Sequence, residues 1–294
     1  MSLADPPPPV LYHYTSLEAF RAIMRTCRIR ATHYLGFADR EELRFGVNGL
    51  LDALRRYRGD PSTRALQGRL LAELESFVTT DLDVYVLSLT GEVDSPWHWS
   101  KYARRGVAIG FDFKAVGEGF QTDEPRPVGA PGVDRDPSNR LMRCRYAGSF
   151  DLQSLVAERF FGPNSYVAAF ASPWKLAHEI MWNALAVAVY QVICTIKRES
   201  FQDEREWRVV HINPNRDEYP LRRDEKDRPY LSMRFDPPQY VKELWVGPHD
   251  NQAACYDAIA EVVDANGLGC KVYTSKHDAV ANGGLDPGLL KTGV

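Results

Sequence analysis

Two carboxylates, Glu204 and Glu206, stand two residues apart where the chain enters Trp207-Arg208-Val209-Val210, a β-branched run that reads as a strand. Side chains two apart on a strand share a face, so the spacing predicts both acids side by side, with Trp207 and Val209 on the other, buried face. Like charges held close push their proton affinities apart, which suits one carboxylate acting on a ligand while its neighbour tunes it. The same spacing fits plain ion pairs with Arg205 and Arg208 on a solvated strand end, where such pairs contribute little.

Near the amino terminus, Val10-Leu11-Tyr12-His13-Tyr14-Thr15 reads as a strand running into a helix capped by Ser16, with Ala19, Phe20, Ile23 and Met24 as its apolar stripe. This places His13 and Tyr14 at a strand end beside a helix start, where backbone N–H groups favour phosphate-bearing ligands. A hydrogen-bonded structural histidine is the plainer reading of His13. The third segment runs from Val84–Thr90 through Ser95-Pro96-Trp97-His98-Trp99 and Tyr102 to Gly106, then Val107 to Phe113. It predicts strand, short helix and strand, with Ser95 as cap, Pro96 at the first helical position and Gly106 as the stop. Its crowded aromatics can stack a nicotinamide or a base, although such rings more commonly fill a core.

These segments resemble the bacterial domain-of-unknown-function family numbered 2971 over nearly the whole chain. The likeness lies in L-Y-H-Y-T-S, in the block from Ser95 through Trp99 and Tyr102 to Asp112, in the F-x-x-E-x-E-W-R strand, and in Glu243-Leu244-Trp245-Val246-Gly247-Pro248. The opening Y-H-Y-T and the later Glu are also similar, more remotely, to the ADP-ribosyltransferase-like fold of DNA ADP-ribosyltransferase toxins and tRNA phosphotransferases. That resemblance implies an α+β fold, a central mostly antiparallel split sheet enclosed by helices. It further implies NAD as substrate, cleavage of the nicotinamide–ribose bond, and transfer of ADP-ribose to an acceptor or to water, in a toxin or phage-defence setting.

On this resemblance His13 holds the adenosine ribose, flanked by Tyr14 and Thr15, and Ser88 or Tyr102 takes the middle position, with Trp99 among the aromatics lining the cofactor. Glu206 is the catalytic carboxylate that steadies the oxocarbenium-like ribose, and Glu204 orients the acceptor. Glu206 is preferred because Trp207 can pack it against the core, yet E-x-E fits either order. Arg28, with Arg30 and Arg44, is a candidate for the pyrophosphate, against the plainer reading of a solvated arginine edge. The acceptor is a protein, a nucleic acid or a small molecule, and a cognate antitoxin or other partner protein fits the toxin setting. The alternative is a non-catalytic nucleotide- or protein-binding module of the same fold.

Neither a Rossmann glycine fingerprint nor a P-loop is present, and 294 residues suit one domain with helical insertions at about 41–79 and 150–200, a long loop at about 121–139 and a stiff lead-in over 1–9. A formal charge of −3 gives no general attraction to nucleic acid, so binding of that kind needs a local patch, and Arg55, Arg56, Arg58, Arg64 and Arg69 on two predicted helices are as well explained by solvated faces. Five cysteines scattered singly argue against a zinc site. The first nine residues have no signal-peptide pattern and no apolar run reaches membrane length, so a cytoplasmic protein without membrane contact is expected. A buried helix is predicted from about Trp174 to Lys197, with Lys175, His178 and Glu179 near its start.

Overall fold

A computed structural model describes residues 7–37, 39, 41–59, 61–77, 84–103, 105–122, 139–148, 151–161, 187, 189–212 and 222–277. The elements begin with β1 (Val10–Thr15), α1 (Leu17–Thr26), β2 (Arg28–His33), α2 (Glu42–Arg56), α3 (Arg64–Phe77), β3 (Val84–Thr90), α4 (Pro96–His98) and β4 (Val107–Asp112). They continue through α5 (Phe113–Glu118), β5 (Gln121–Thr122), β6 (Asn139–Arg143), β7 (Arg145–Tyr146), α6 (Leu152–Phe160), β8 (Ile196–Lys197) and β9 (Glu206–Ile212). The last are β10 (Arg222–Arg223), β11 (Pro229–Arg234), α7 (Pro237–Tyr240), β12 (Val241–Val246), α8 (Gln252–Ala265) and β13 (Lys271–Thr274). The fold is mixed α+β, with open, mostly antiparallel sheet and accompanying helices.

The chain forms two compact units where the sequence predicts one domain with insertions. The first comprises residues 1–9, 28–91 and 113–235, and the second comprises 10–27, 92–112 and 236–294. In the first unit the strands run β10-β11-β2-β3-β9-β6, antiparallel throughout, with β5 also on β11 and a short parallel β7–β8 ladder apart. Leucines repeating along α2 and α3 bury against α6: Leu50, Leu54, Leu70 and Leu74 join Val156, Phe160 and Ile193 in one apolar core. Both helices of the predicted 41–79 insertion therefore form, and Arg55 and Arg56 bridge to Asp52 and Glu75 on exposed faces.

In the second unit β1, β4 and β12 are antiparallel and β13 joins β12 in parallel. α1 lies against β4, and α8 against β12 and β13. Local signals read from the sequence hold here. Ser16 accepts the Ala19 N–H at 3.1 Å, and Ser95 accepts the His98 N–H at 3.4 Å ahead of Pro96. Gly106 is required by space: a Cβ there would fall 1.9 Å from the Thr15 carbonyl oxygen and 2.8 Å from that of Ala103. Gly106→Ala is expected to lower the unfolding free energy by about 3 kcal/mol, measurable by urea denaturation, since backbone and not a flexible side chain must give way.

Several boundaries differ from expectation. Phe113 leaves the β4 strand to open α5, and the predicted strand 141–146 breaks at Cys144, whose N–H turns to the Glu206 carbonyl at 2.8 Å. Lys197, predicted at a helix end, lies in β8. Gln121–Thr122 and Asn139, at the ends of the predicted loop, are strand residues, and residues 123–138 lie outside the described residues. So do residues 162–186, which include Lys175, His178 and Glu179.

Candidate functional site

The two glutamates meet, but by a different route from strand alternation. Glu204 ends a 3-10 turn (Glu199–Glu204), Arg205 takes a left-handed conformation with φ 39°, and only Glu206 belongs to β9. The turn and the strand start fold both carboxylates onto the ammonium of Lys197, which β8 delivers from the side.

Glu206 is 5% exposed and Glu204 6% exposed. Glu206 Oε1 accepts from Arg208 Nε at 2.9 Å, while Oε2 accepts from Arg208 Nη2 at 2.9 Å and from Lys197 Nζ at 2.6 Å. The Cys144 thiol donates to the same Oε2 at 3.7 Å, and the Tyr146 hydroxyl receives the Glu206 N–H at 2.8 Å. From the first turn of α2, Glu42 brings a third carboxylate, with Oε1 2.6 Å from Arg208 Nη2 and Oε2 3.3 Å from Lys197 Nζ. The contact at Glu42 Oε1 is an ion contact without hydrogen-bond alignment. Arg208 also donates from Nη1 to the Cys194 carbonyl at 2.5 Å.

Three buried carboxylates thus surround two buried cations. Burial alone pushes the Glu206 pKa up, but the charges of Arg208 and then Lys197, with their hydrogen bonds, outweigh it and hold the group at about 2. Burial and Arg208 pull the Lys197 pKa down, and Glu206 and Glu42 more than reverse that, raising it above the ordinary lysine range. Both groups stay charged at neutral pH. The ion pairs offered as the plainer reading do form with Arg208, in the interior and not on a solvated strand end. Such a network chiefly fixes the packing of α2, β8 and β9, because removing one member strands the others without compensation.

The remaining expected residues fall in different places. In the first unit Ser88 is exposed on β3 opposite Arg208, and Arg28 is half-buried on β2. Arg44 pairs with Glu41 at 3.4 Å on the surface. In the second unit His13 is half-buried and Thr15 buried on one face of β1, while Tyr14 points to the opposite face. Tyr14 donates its hydroxyl to the Glu92 carbonyl at 2.9 Å and accepts the Ser95 N–H at 3.1 Å. Its ring stacks on His98 with centroids 5.0 Å apart and meets Trp99 edge-on at 4.6 Å. Trp99 is 1% exposed and donates its indole N–H to Asp94 at 2.9 Å, so it is a core residue.

Tyr102 differs from these, being 48% exposed. It meets half-buried Trp97 edge-on at 5.6 Å, and the Lys101 ammonium lies 4.4 Å from the Trp97 ring centre and 5.4 Å from that of Tyr102. An accessible ring beside a second ring and a cation provides stacking area and a charge for phosphate. The same unit holds an ordered carboxylate that spacing did not single out. Glu243 Oε1 accepts from the Tyr12 hydroxyl at 2.7 Å and from Trp245 Nε1 at 2.9 Å, with Trp245 stacked on Tyr273 at 4.8 Å. Gly110 opposite makes room for it, since a Cβ there would fall 2.9 Å from Glu243 Cγ.

No family model, curated protein or solved structure matches the chain. Among the described residues no group of three or more His, Cys, Asp and Glu is placed to hold a metal ion, and no helix is long and apolar enough to cross a membrane.

Proposed function

We propose that this protein is a nucleotide-binding module of the ADP-ribosyltransferase-like class, with NAD as its ligand. The observation that carries the reading is the exposed Tyr102 ring beside Trp97 and Lys101, which offers a base or nicotinamide a stacking surface and its phosphates a cation. Titration of NAD into the protein by calorimetry tests it. Binding is expected, and Tyr102→Ala should weaken it about ten-fold, the usual scale for one lost stacking ring. Absence of heat and of any thermal shift with NAD would reject the reading.

Transfer of ADP-ribose to a protein, nucleic acid, small molecule or water is the second reading, along with simple hydrolysis of NAD. What favours it is that Arg208 and Lys197 hold Glu206 ionised, the state a carboxylate needs to steady a developing ribosyl cation. Its burial and its four donor contacts favour binding without turnover instead. Nicotinamide release from NAD separates the two. Turnover in the native protein that disappears in Glu206→Gln, with that variant shown folded by circular dichroism, would establish transfer and assign the residue. Loss in Glu204→Gln alone would assign its neighbour.

A further inference from the structure

On β12, Glu243 and Trp245 share one face, and Leu244 and Val246 are fully buried on the other. The register carries the first face sideways: Tyr12 stands opposite Gly110, Gly110 opposite Glu243, Glu243 opposite Lys271, and Trp245 opposite Tyr273. At the Tyr14 end Trp99 and Ala103 pack over this face. Toward β13 it opens, with Glu243, Trp245 and Tyr273 half-buried and Lys271 exposed. Tyr12 and Trp245 donate to the same oxygen of Glu243, Oε1, and so fix the carboxylate, which lies in the space Gly110 leaves. Among the described residues Glu243 Oε2, the Tyr273 hydroxyl and the Lys271 ammonium make no hydrogen bond or ion pair. Trp245 covers one face of the Tyr273 ring, and the other looks toward the sheet edge.

A carboxylate held by two neutral donors, with lone pairs open on its second oxygen, is a preset acceptor. Lys271 adds a donor, and the Tyr273 hydroxyl both donates and accepts. Charges of each sign side by side disfavour a ligand of strong net charge. Glu243 repels anions, while Lys271 and the neighbouring Lys242, itself 3.4 Å from Asp112, repel organic cations. The group therefore suits a neutral ligand rich in hydroxyls, and the stacked rings suit one with a flat apolar face. A pyranose with equatorial hydroxyls has both, because its rim carries hydroxyls and its faces carry C–H bonds that meet the negative face of an aromatic ring. We propose that this face binds a glucose-configured saccharide. Glu243 and Lys271 grip its hydroxyls, and the Tyr273 ring, backed by Trp245, is its platform. Among the described residues β13 has no second strand beside it, so a chain of several sugars can run past the edge. The site uses neither Tyr102, Trp97 nor Lys101 and does not depend on NAD.

The test is titration of the full chain with cellotetraose, chitotetraose and maltotetraose, followed by ligand-observed NMR. Binding of at least one is expected, with a dissociation constant of about 1 mM or tighter. Tyr273→Ala should weaken it about ten-fold, and so should Glu243→Gln, which keeps an oxygen for Tyr12 and Trp245 but loses the charged acceptor. Lys271→Ala, at an exposed position, should weaken it about three-fold. Tyr256→Ala, which removes an exposed ring on α8, should change nothing. Thermal unfolding verifies that each variant is folded. No binding of any of these saccharides at about 10 mM, or unaltered affinity in both Tyr273→Ala and Lys271→Ala, overturns the proposal. Equal affinity for sorbitol, which has the hydroxyls without a flat face, overturns the platform. Displacement of the saccharide by NAD overturns its separateness from the nucleotide reading, and binding of tetramethylammonium without any saccharide replaces it with an organic-cation site.

Discussion

Arg208→Met is expected to lower the unfolding free energy by about 3–5 kcal/mol, as found when one partner of a buried ion network is removed. Arg208 spans both oxygens of Glu206, contacts Glu42 and donates to the Cys194 carbonyl, so its loss leaves Glu42, Glu204 and Glu206 with Lys197 as the remaining cation of the group. Arg208→Lys should recover only part of the loss, because a single ammonium cannot grip the carboxylate at two points. Urea unfolding at pH 7 measures both variants. A change under about 1 kcal/mol in Arg208→Met, within the range of ordinary surface substitutions, would show that the network contributes little to stability and would reopen a catalytic role for Glu206.

Acid should dismantle the same network. The folded-state pKa of Glu206 lies at about 2, below the ordinary glutamate value, so its contribution to stability is present above about pH 4.5 and is lost as pH falls toward 2. The size of that contribution is about 3 kcal/mol, and Glu206→Gln, already lacking it, should show a correspondingly flatter acid limb. Lys197 has the opposite sign. Its raised pKa gives stability that is complete below the ordinary lysine pKa and declines as pH rises beyond it. Unfolding free energies measured across pH separate the limbs. Parallel acid limbs in the native protein and Glu206→Gln would show that another group governs acid unfolding.

What sequence made legible was whatever a short window controls. The Ser16 and Ser95 caps, the Pro96 helix start and the strands at Val10–Thr15 and Val107–Asp112 each depend on neighbours within a few positions. The carboxylate pair was visible, but its surroundings were not. Strand alternation gave the wrong reason for the meeting of Glu204 and Glu206, because the left-handed turn at Arg205 interrupts the strand that alternation assumes. The cations that neutralise the pair come from β8 and from within β9, and the third acid comes from position 42, far along the chain. Aromatic composition likewise marked Trp99 and Tyr102 alike. Only the packing of Trp99 over Gly247, where a Cβ would fall 3.0 Å from its ring, separates the buried indole from the accessible phenol.

The interleaved make-up of the two units carries a consequence for how the protein can be made and cut. The second unit draws β1 and α1 from the start of the chain, β4 from the middle and β12, α8 and β13 from residues 236 onward. During synthesis β1 therefore emerges long before β12 exists, and the β4–β12 ladder closes only after more than half the chain has left the ribosome, a high-contact-order arrangement that slows folding. No single cut yields either unit whole. Proteolysis in an exposed loop should accordingly leave nicked protein whose pieces stay together, and expression of either half alone should give unpaired strand edges that aggregate.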